Sequence, residues 1–171
     1  ALFGTPSTRF QGAVTTSWVA VYLGVLLGFL LRLRNLPDGR IMVYVFFAVI
    51  WATDTMAYFI GKRFGTIKII PQISPGKTLQ GTIGGTLGGV AIALIAAKIL
   101  HFNILAAAVA GLAVSAAGQV GDLTESSFKR YMGVKDSGGL LPGHGGVLDR
   151  FDSVLFALPV AYYLLKGLGI H

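Results

Sequence analysis

Residues 102–120 read FNILAAAVAGLAVSAAGQV, an apolar run without a single charge, and Asp122 and Glu125 follow directly behind it. About 20 apolar residues cross the hydrocarbon core of a bilayer as one helix. Four other stretches approach that length: 13–31, also uncharged, then 41–60, 83–100 and 153–170. The runs at 83–100 and 153–170 are shorter before they meet Lys98 and Lys166, whose aliphatic stems can snorkel to the interface. Composition agrees, with 54% of the 171 residues hydrophobic and a mean hydropathy of +0.72, above the roughly 45–50% apolar usage of soluble domains. Such continuous runs lack the alternation of a membrane barrel, and backbone in lipid must satisfy its own hydrogen bonds. The expected fold class is all-α, a polytopic helical membrane protein of about five transmembrane helices with two charged cytoplasmic loops.

With five spans, Arg9, Lys62, Arg63, Lys68, Lys77, Lys129, Arg130, Lys135 and Arg150 share one side, against Arg32, Arg34, Arg40, Lys98 and Lys166 on the other. The richer side is cytoplasmic by the positive-inside rule, so the two long charged loops face the compartment that holds nucleotides. The net charge of +7 reads as orientation and affinity for anionic lipid headgroups; the bilayer is the expected partner, and no nucleic acid. The absence of cysteine excludes disulfides and thiol chemistry. The chain starts Ala1-Leu2-Phe3-Gly4 with neither Met nor a basic leader, which reads as no signal peptide and as a fragment or processed product. Without repeats or low-complexity tracts, residues 1–171 read as a single transmembrane catalytic domain. Residues 83–100 are preceded and opened by glycines, with Gly84 and Gly88, and Gly85 and Gly89, at four-residue spacing. That is a close helix-packing face, within one chain or between two, so a homodimer is among the expectations.

The chemistry gathers in residues 126–152, SSFKRYMGVKDSGGLLPGHGGVLDRFD, which hold three aspartates of a chain with only seven acidic residues. Asp122 and Glu125 share a helix face at the end of the fourth span, with Lys129 one turn beyond as a pairing partner for Glu125. Asp149 and Asp152 repeat the three-residue spacing at the start of the fifth span. Asp54 lies inside the second span, where a carboxylate is costly enough to suggest a functional or cation-binding role, or else a structural ion pair. Oxygen donors without Cys point to Mg²⁺ rather than zinc, and Lys129, Arg130, Lys135 and Arg150 supply positive charge suited to polyphosphate. His144, flanked by glycines, is an acid, base or phosphate donor, or only fixes the turn. In the second loop, Ser74-Pro-Gly-Lys77-Thr78 is not a P-loop, because Pro71 stands where its first Gly is needed. Lys and hydroxyl groups at a helix start nevertheless suit a phosphate.

The pattern Ser126-x-Phe128-Lys129-Arg130, Lys135-Asp136, Leu141-Pro142-x-His144-Gly145-Gly146 and Asp149-Arg150-Phe151-Asp152 resembles the signature of phosphatidate cytidylyltransferases, as do Asp54-Thr55-x-Ala57-Tyr58 and Ser74-Pro75-x-Lys77-Thr78. The resemblance covers roughly residue 5 to the end and is to the carboxyl-terminal half of that family. It implies a bacterial inner-membrane enzyme with its site facing the cytoplasm. There it joins CTP and phosphatidic acid into CDP-diacylglycerol and pyrophosphate, with Mg²⁺ and room for a second cation. It further implies Asp122 and Asp149 as metal ligands, Asp152 and Asp54 as weaker ones, and Asp122, Asp149, Lys135, Arg150 and His144 as the catalytic set. Ser74, Lys77, Thr78, Ser126, Lys129, Arg130 and Asp136 fall to substrate binding. Gln80 departs from the family's usual Glu, so a charge is missing from the second loop. The rivals are another CTP-using lipid enzyme, such as a polyprenol or phytol kinase or a CDP-archaeol synthase, and an ion-coupled transporter. A CDP-alcohol phosphotransferase fits less well, since its Asp-x3-Asp pairing is absent.

Overall fold

The computed structural model describes residues 24, 25, 27–131 and 148–168, and of residues 148–151 the backbone only. Residues 27–34 are helical, and a turn at 35–38 leads into α1 (Gly39–Phe64), followed by α2 (Leu79–Leu100), α3 (Ile104–Tyr131) and α4 (Leu148–Leu168). Helices account for most of the described chain, in agreement with the expected class. Three of them, α1, α2 and α3, are long and apolar enough to cross a membrane. Of the expected first span, only the end is described. The fifth forms α4, which carries Pro159 inside the helix.

Local chemistry sets the boundaries. Asp38 adopts a left-handed φ of 50°, and a side chain on Gly39 would run into the carbonyls of Leu33 and Arg34. That turn admits only glycine there. Lys62 and Arg63 lie in the last turn of α1, where cations complement the helix dipole. Thr78 caps α2, its Oγ1 accepting the Gly81 N–H at 3.2 Å, and the Asn103 Oδ1 accepts the Ala106 N–H at 3.0 Å at the start of α3.

The expected glycine face of α2 is used within the chain, against α1 and α3. A Cβ on Gly85 would sit 2.6 Å from the Thr53 carbonyl oxygen, and one on Gly88 2.7 Å from Met56. One on Gly89 would collide with the hydroxyls of Thr53 and Ser115. Those two hydroxyls are themselves bonded at 2.8 Å, both residues being fully buried. Larger apolar residues fill the interior on the far side of this bond, among them Phe46, Val49, Ile50, Val114 and Leu158. Tyr44, Trp51, Leu87, Ile99 and Leu105 point outward. Small residues where α2 meets its neighbours, and bulky ones facing outward, are the arrangement expected of helices that pack in lipid.

Candidate active site

At one end of the bundle the small residues bring α1, α2 and the loop between them into contact. A Cβ on Gly81 would lie 2.7 Å from the Ala57 carbonyl oxygen, and one on Gly65 would press on Thr78 at 2.5 Å. The loop folds back on itself. The Leu79 N–H bonds the Ile67 carbonyl at 2.9 Å and the Ile69 N–H that of Lys77 at 3.2 Å, around an antiparallel bridge between Lys68 and Thr78.

That closure directs Lys77 at α3. Its Nζ lies 2.7 Å from Asp122 Oδ2, and the Ser126 hydroxyl donates to Asp122 Oδ1 at 3.3 Å. Both carboxylate oxygens of Asp122 are therefore engaged. The Lys77 ammonium is shielded from solvent, and Asp122 is its one partner among the described residues. A buried ammonium with donors to spare is an anion site in waiting.

One turn along α3, Glu125 is buried and pairs with Lys129 at 3.5 Å, as the i, i+4 spacing predicts. Asp152 stands at the start of α4, its Oδ1 accepting the Ser153 N–H at 2.6 Å. Arg130 turns its Nε to the Ile73 carbonyl at 3.2 Å and so ties the loop to the end of α3.

These groups surround a cavity of about 480 Å³, within the range of roughly 300–1,000 Å³ usual for small-molecule sites. Asp54 and Tyr58 reach it from α1, and Ser74 and Lys77 from the loop. Asp122 and Lys129 reach it from α3, and Asp152 from α4. The structure thus unites Asp54, Asp122 and Asp152 in one chamber, although they are far apart in sequence. Thr78 also lines it, with its oxygen committed to the helix cap. Ser126 meets the site through Asp122, and Arg130 through the loop. Lys135, Asp136 and His144 lie outside the described residues, as do the side chains of Asp149 and Arg150. The backbone of Asp149 stands one turn ahead of Asp152 in α4.

Sequence reasoning missed Gln119, which lines the cavity while its Nε2 donates to Thr86 Oγ1 at 3.0 Å and to the Thr82 carbonyl at 3.3 Å. The signal was present: an amide inside an otherwise apolar span, three residues before Asp122.

Among the described residues no three His, Asp or Glu side chains come close enough together to hold a metal by themselves. The donor set nonetheless suits a hard cation. Four carboxylates, of Asp54, Asp122, Glu125 and Asp152, stand in or against the chamber with two ammonium groups, of Lys77 and Lys129. Oxygen donors with a surplus of negative charge are what Mg²⁺ selects.

A model described as the cytidylyltransferase family matches residues 1–168. A phosphatidate cytidylyltransferase of Bacillus subtilis (strain 168) is 45% identical over 150 residues, 85% of this chain and 55% of the relative. Proteins of the same name from Staphylococcus epidermidis (strain ATCC 12228 / FDA PCI 1200) and Staphylococcus aureus (strain COL) are each 42% identical over 158 residues, 91% of this chain and 60% of the relative. The chain therefore spans 55–60% of the length of these curated relatives. A solved intramembrane enzyme for archaeal membrane lipids biosynthesis has a similar fold, with a TM-score of 0.51 and 24% identity over 68% of this chain and 75% of that one.

Proposed function

The chain belongs to the cytidylyltransferase family, and from that premise we propose that it carries the site that transfers a cytidylyl group from CTP to phosphatidic acid, giving CDP-diacylglycerol and pyrophosphate. The observation that carries the reading is the shielded Lys77 ammonium, paired with Asp122 at 2.7 Å on the wall of a polar chamber at one end of an apolar bundle. The names of the bacterial relatives supply the lipid, phosphatidate.

In this reaction a phosphate oxygen of the lipid attacks the α-phosphorus of CTP, a P–O bond forms, and the bond to the β-phosphate breaks as pyrophosphate leaves. A phosphate monoester is already ionised near neutral pH, so no strong base is required. The demand is to bring two anions together in line and offset their charge. Lys77 answers it from the loop and Lys129 from α3, and Ser74 lines the same chamber. Asp122 is the residue that would hold Mg²⁺, with Asp54 and Asp152 beside it and Asp149 joining from the first turn of α4. The ion would supply charge neutralisation at the triphosphate. Ser126 and Lys77 keep the Asp122 carboxylate fixed for that task.

The chamber faces the cytoplasm of a bacterial cell in this reading, and the acyl chains of the lipid lie against the apolar outer faces of the helices. A homodimer would use some other surface than the α2 glycines, which are covered within the chain. The test is to incubate the purified protein in detergent with labelled CTP, phosphatidic acid and Mg²⁺. CDP-diacylglycerol that disappears with EDTA is the expected product. Release of CDP instead would identify phosphoryl transfer and a lipid kinase.

A further inference from the structure

We propose that Gln80 is a positioning residue, which fixes the loop that presents Ser74 and Lys77 and does so through hydrogen bonds rather than charge. Gln80 stands half-buried in the first turn of α2. Its Oε1 accepts the N–H groups of Thr66 at 3.2 Å and of Ile67 at 3.3 Å, and its Nε2 donates to Thr66 Oγ1 at 2.6 Å. Two N–H groups aimed at one atom settle the orientation of the amide, since the reversed form would set its NH₂ against two donors.

The segment held in this way is the outgoing half of the loop, just after α1. Residues 67–69 bond to residues 77–79 across the Lys68–Thr78 bridge, and Lys77 continues from there to Asp122. Gln80 anchors the start of the loop, Arg130 its middle at Ile73, and the Lys77–Asp122 pair its end. Removing the amide leaves the Thr66 and Ile67 N–H groups without their acceptor and frees the base of the loop to shift. The ammonium then meets a phosphate in the wrong place.

A carboxylate at the same position would preserve all three bonds. One oxygen accepts both N–H groups, and the other accepts from the Thr66 hydroxyl, which changes from acceptor to donor. Glu and Gln are interchangeable in this role because only an acceptor toward the loop backbone is needed. Leu keeps the shape and loses every bond.

The kinetic arm of the test rests on the cytidylyl-transfer reading, and a second arm does not. Gln80→Glu is expected to stay within about threefold of the parent in kcat and in KM for CTP. Gln80→Leu is expected to raise KM for CTP about tenfold, with a smaller change in kcat, as loss of several loop bonds implies. Hydrogen–deuterium exchange at the Thr66 and Ile67 amides should quicken about tenfold or more in Gln80→Leu and not in Gln80→Glu. Parent-like exchange and KM in Gln80→Leu would overturn the proposal, as would a Gln80→Glu variant as impaired as Gln80→Leu. If the parent itself transfers no cytidylyl group, the functional reading falls, and the exchange arm still decides whether Gln80 holds the loop.

Discussion

Replacing Lys77 by Met and Asp122 by Asn, singly and together, tests the pair at the centre of the site. At the 2.7 Å separation, two unit charges attract by about 6 kcal/mol at an effective dielectric of about 20 and by about 1.5 kcal/mol in water. The side chains are 21% and 35% exposed, so solvent screens much of the larger figure and desolvation takes back more. A coupling energy of about 1–2 kcal/mol is expected from a double-mutant cycle of unfolding free energies in mixed detergent micelles. Asp122→Asn should be the costlier single change, because it leaves the shielded ammonium without a counter-charge. Transfer from CTP should fall by about 10- to 100-fold in Lys77→Met, the worth of a charge-assisted hydrogen bond to phosphate. The Mg²⁺ requirement should rise in Asp122→Asn, if any turnover is left. Single-variant effects that add to within about 0.3 kcal/mol, together with parent-like turnover in Lys77→Met, would refute both the pairing and its role.

Asp149→Asn is expected to abolish turnover while the protein still inserts and purifies normally; retained turnover would remove Asp149 from the metal set. Gly89→Ala forces a methyl onto the Thr53 and Ser115 hydroxyls and should cost about 1–3 kcal/mol, read as a lowered Tm, whereas an unchanged Tm would contradict the contact of α2 with α1 and α3. Gln119→Leu leaves Thr82 and Thr86 without their amide partner and should destabilise by about 1 kcal/mol; a variant as stable as the parent would show that these bonds contribute nothing net.

Much of this was legible from spacing within one helix. The apolar runs gave the helices, the Glu125–Lys129 pair followed from i, i+4 geometry, and the glycine pairs announced a close contact. What spacing within a helix cannot encode is the partner across helices. Nothing near Gly85 or Gly89 says that the facing groups are Thr53, Ala57 and Ser115. Likewise Lys77 and Asp122 each looked suited to an anion or a cation, and only the folded loop reveals that they meet. The residues from Asp122 to Tyr131 continue α3, as the shared helix face of Asp122, Glu125 and Lys129 implied. Gln80 stood out as a departure in charge, while its hydrogen bonds depend on a loop conformation that no periodicity describes.

The Thr53–Ser115 bond has a consequence for the membrane as a whole. It marks the deepest polar level on α1 and α3, and the buried α1 residues beyond it, Ile50, Val49, Phe46 and Met42, are apolar. At about 1.5 Å per residue, that apolar stretch is about 12 Å long, and its side chains offer an ion no polar partner. Among the described residues, the charged chamber and the apolar cavity beyond it share no lining side chain. Carboxylates and ammonium groups are thus gathered at one end of these helices, while the described α1 residues of the core beyond the Thr53–Ser115 bond are apolar.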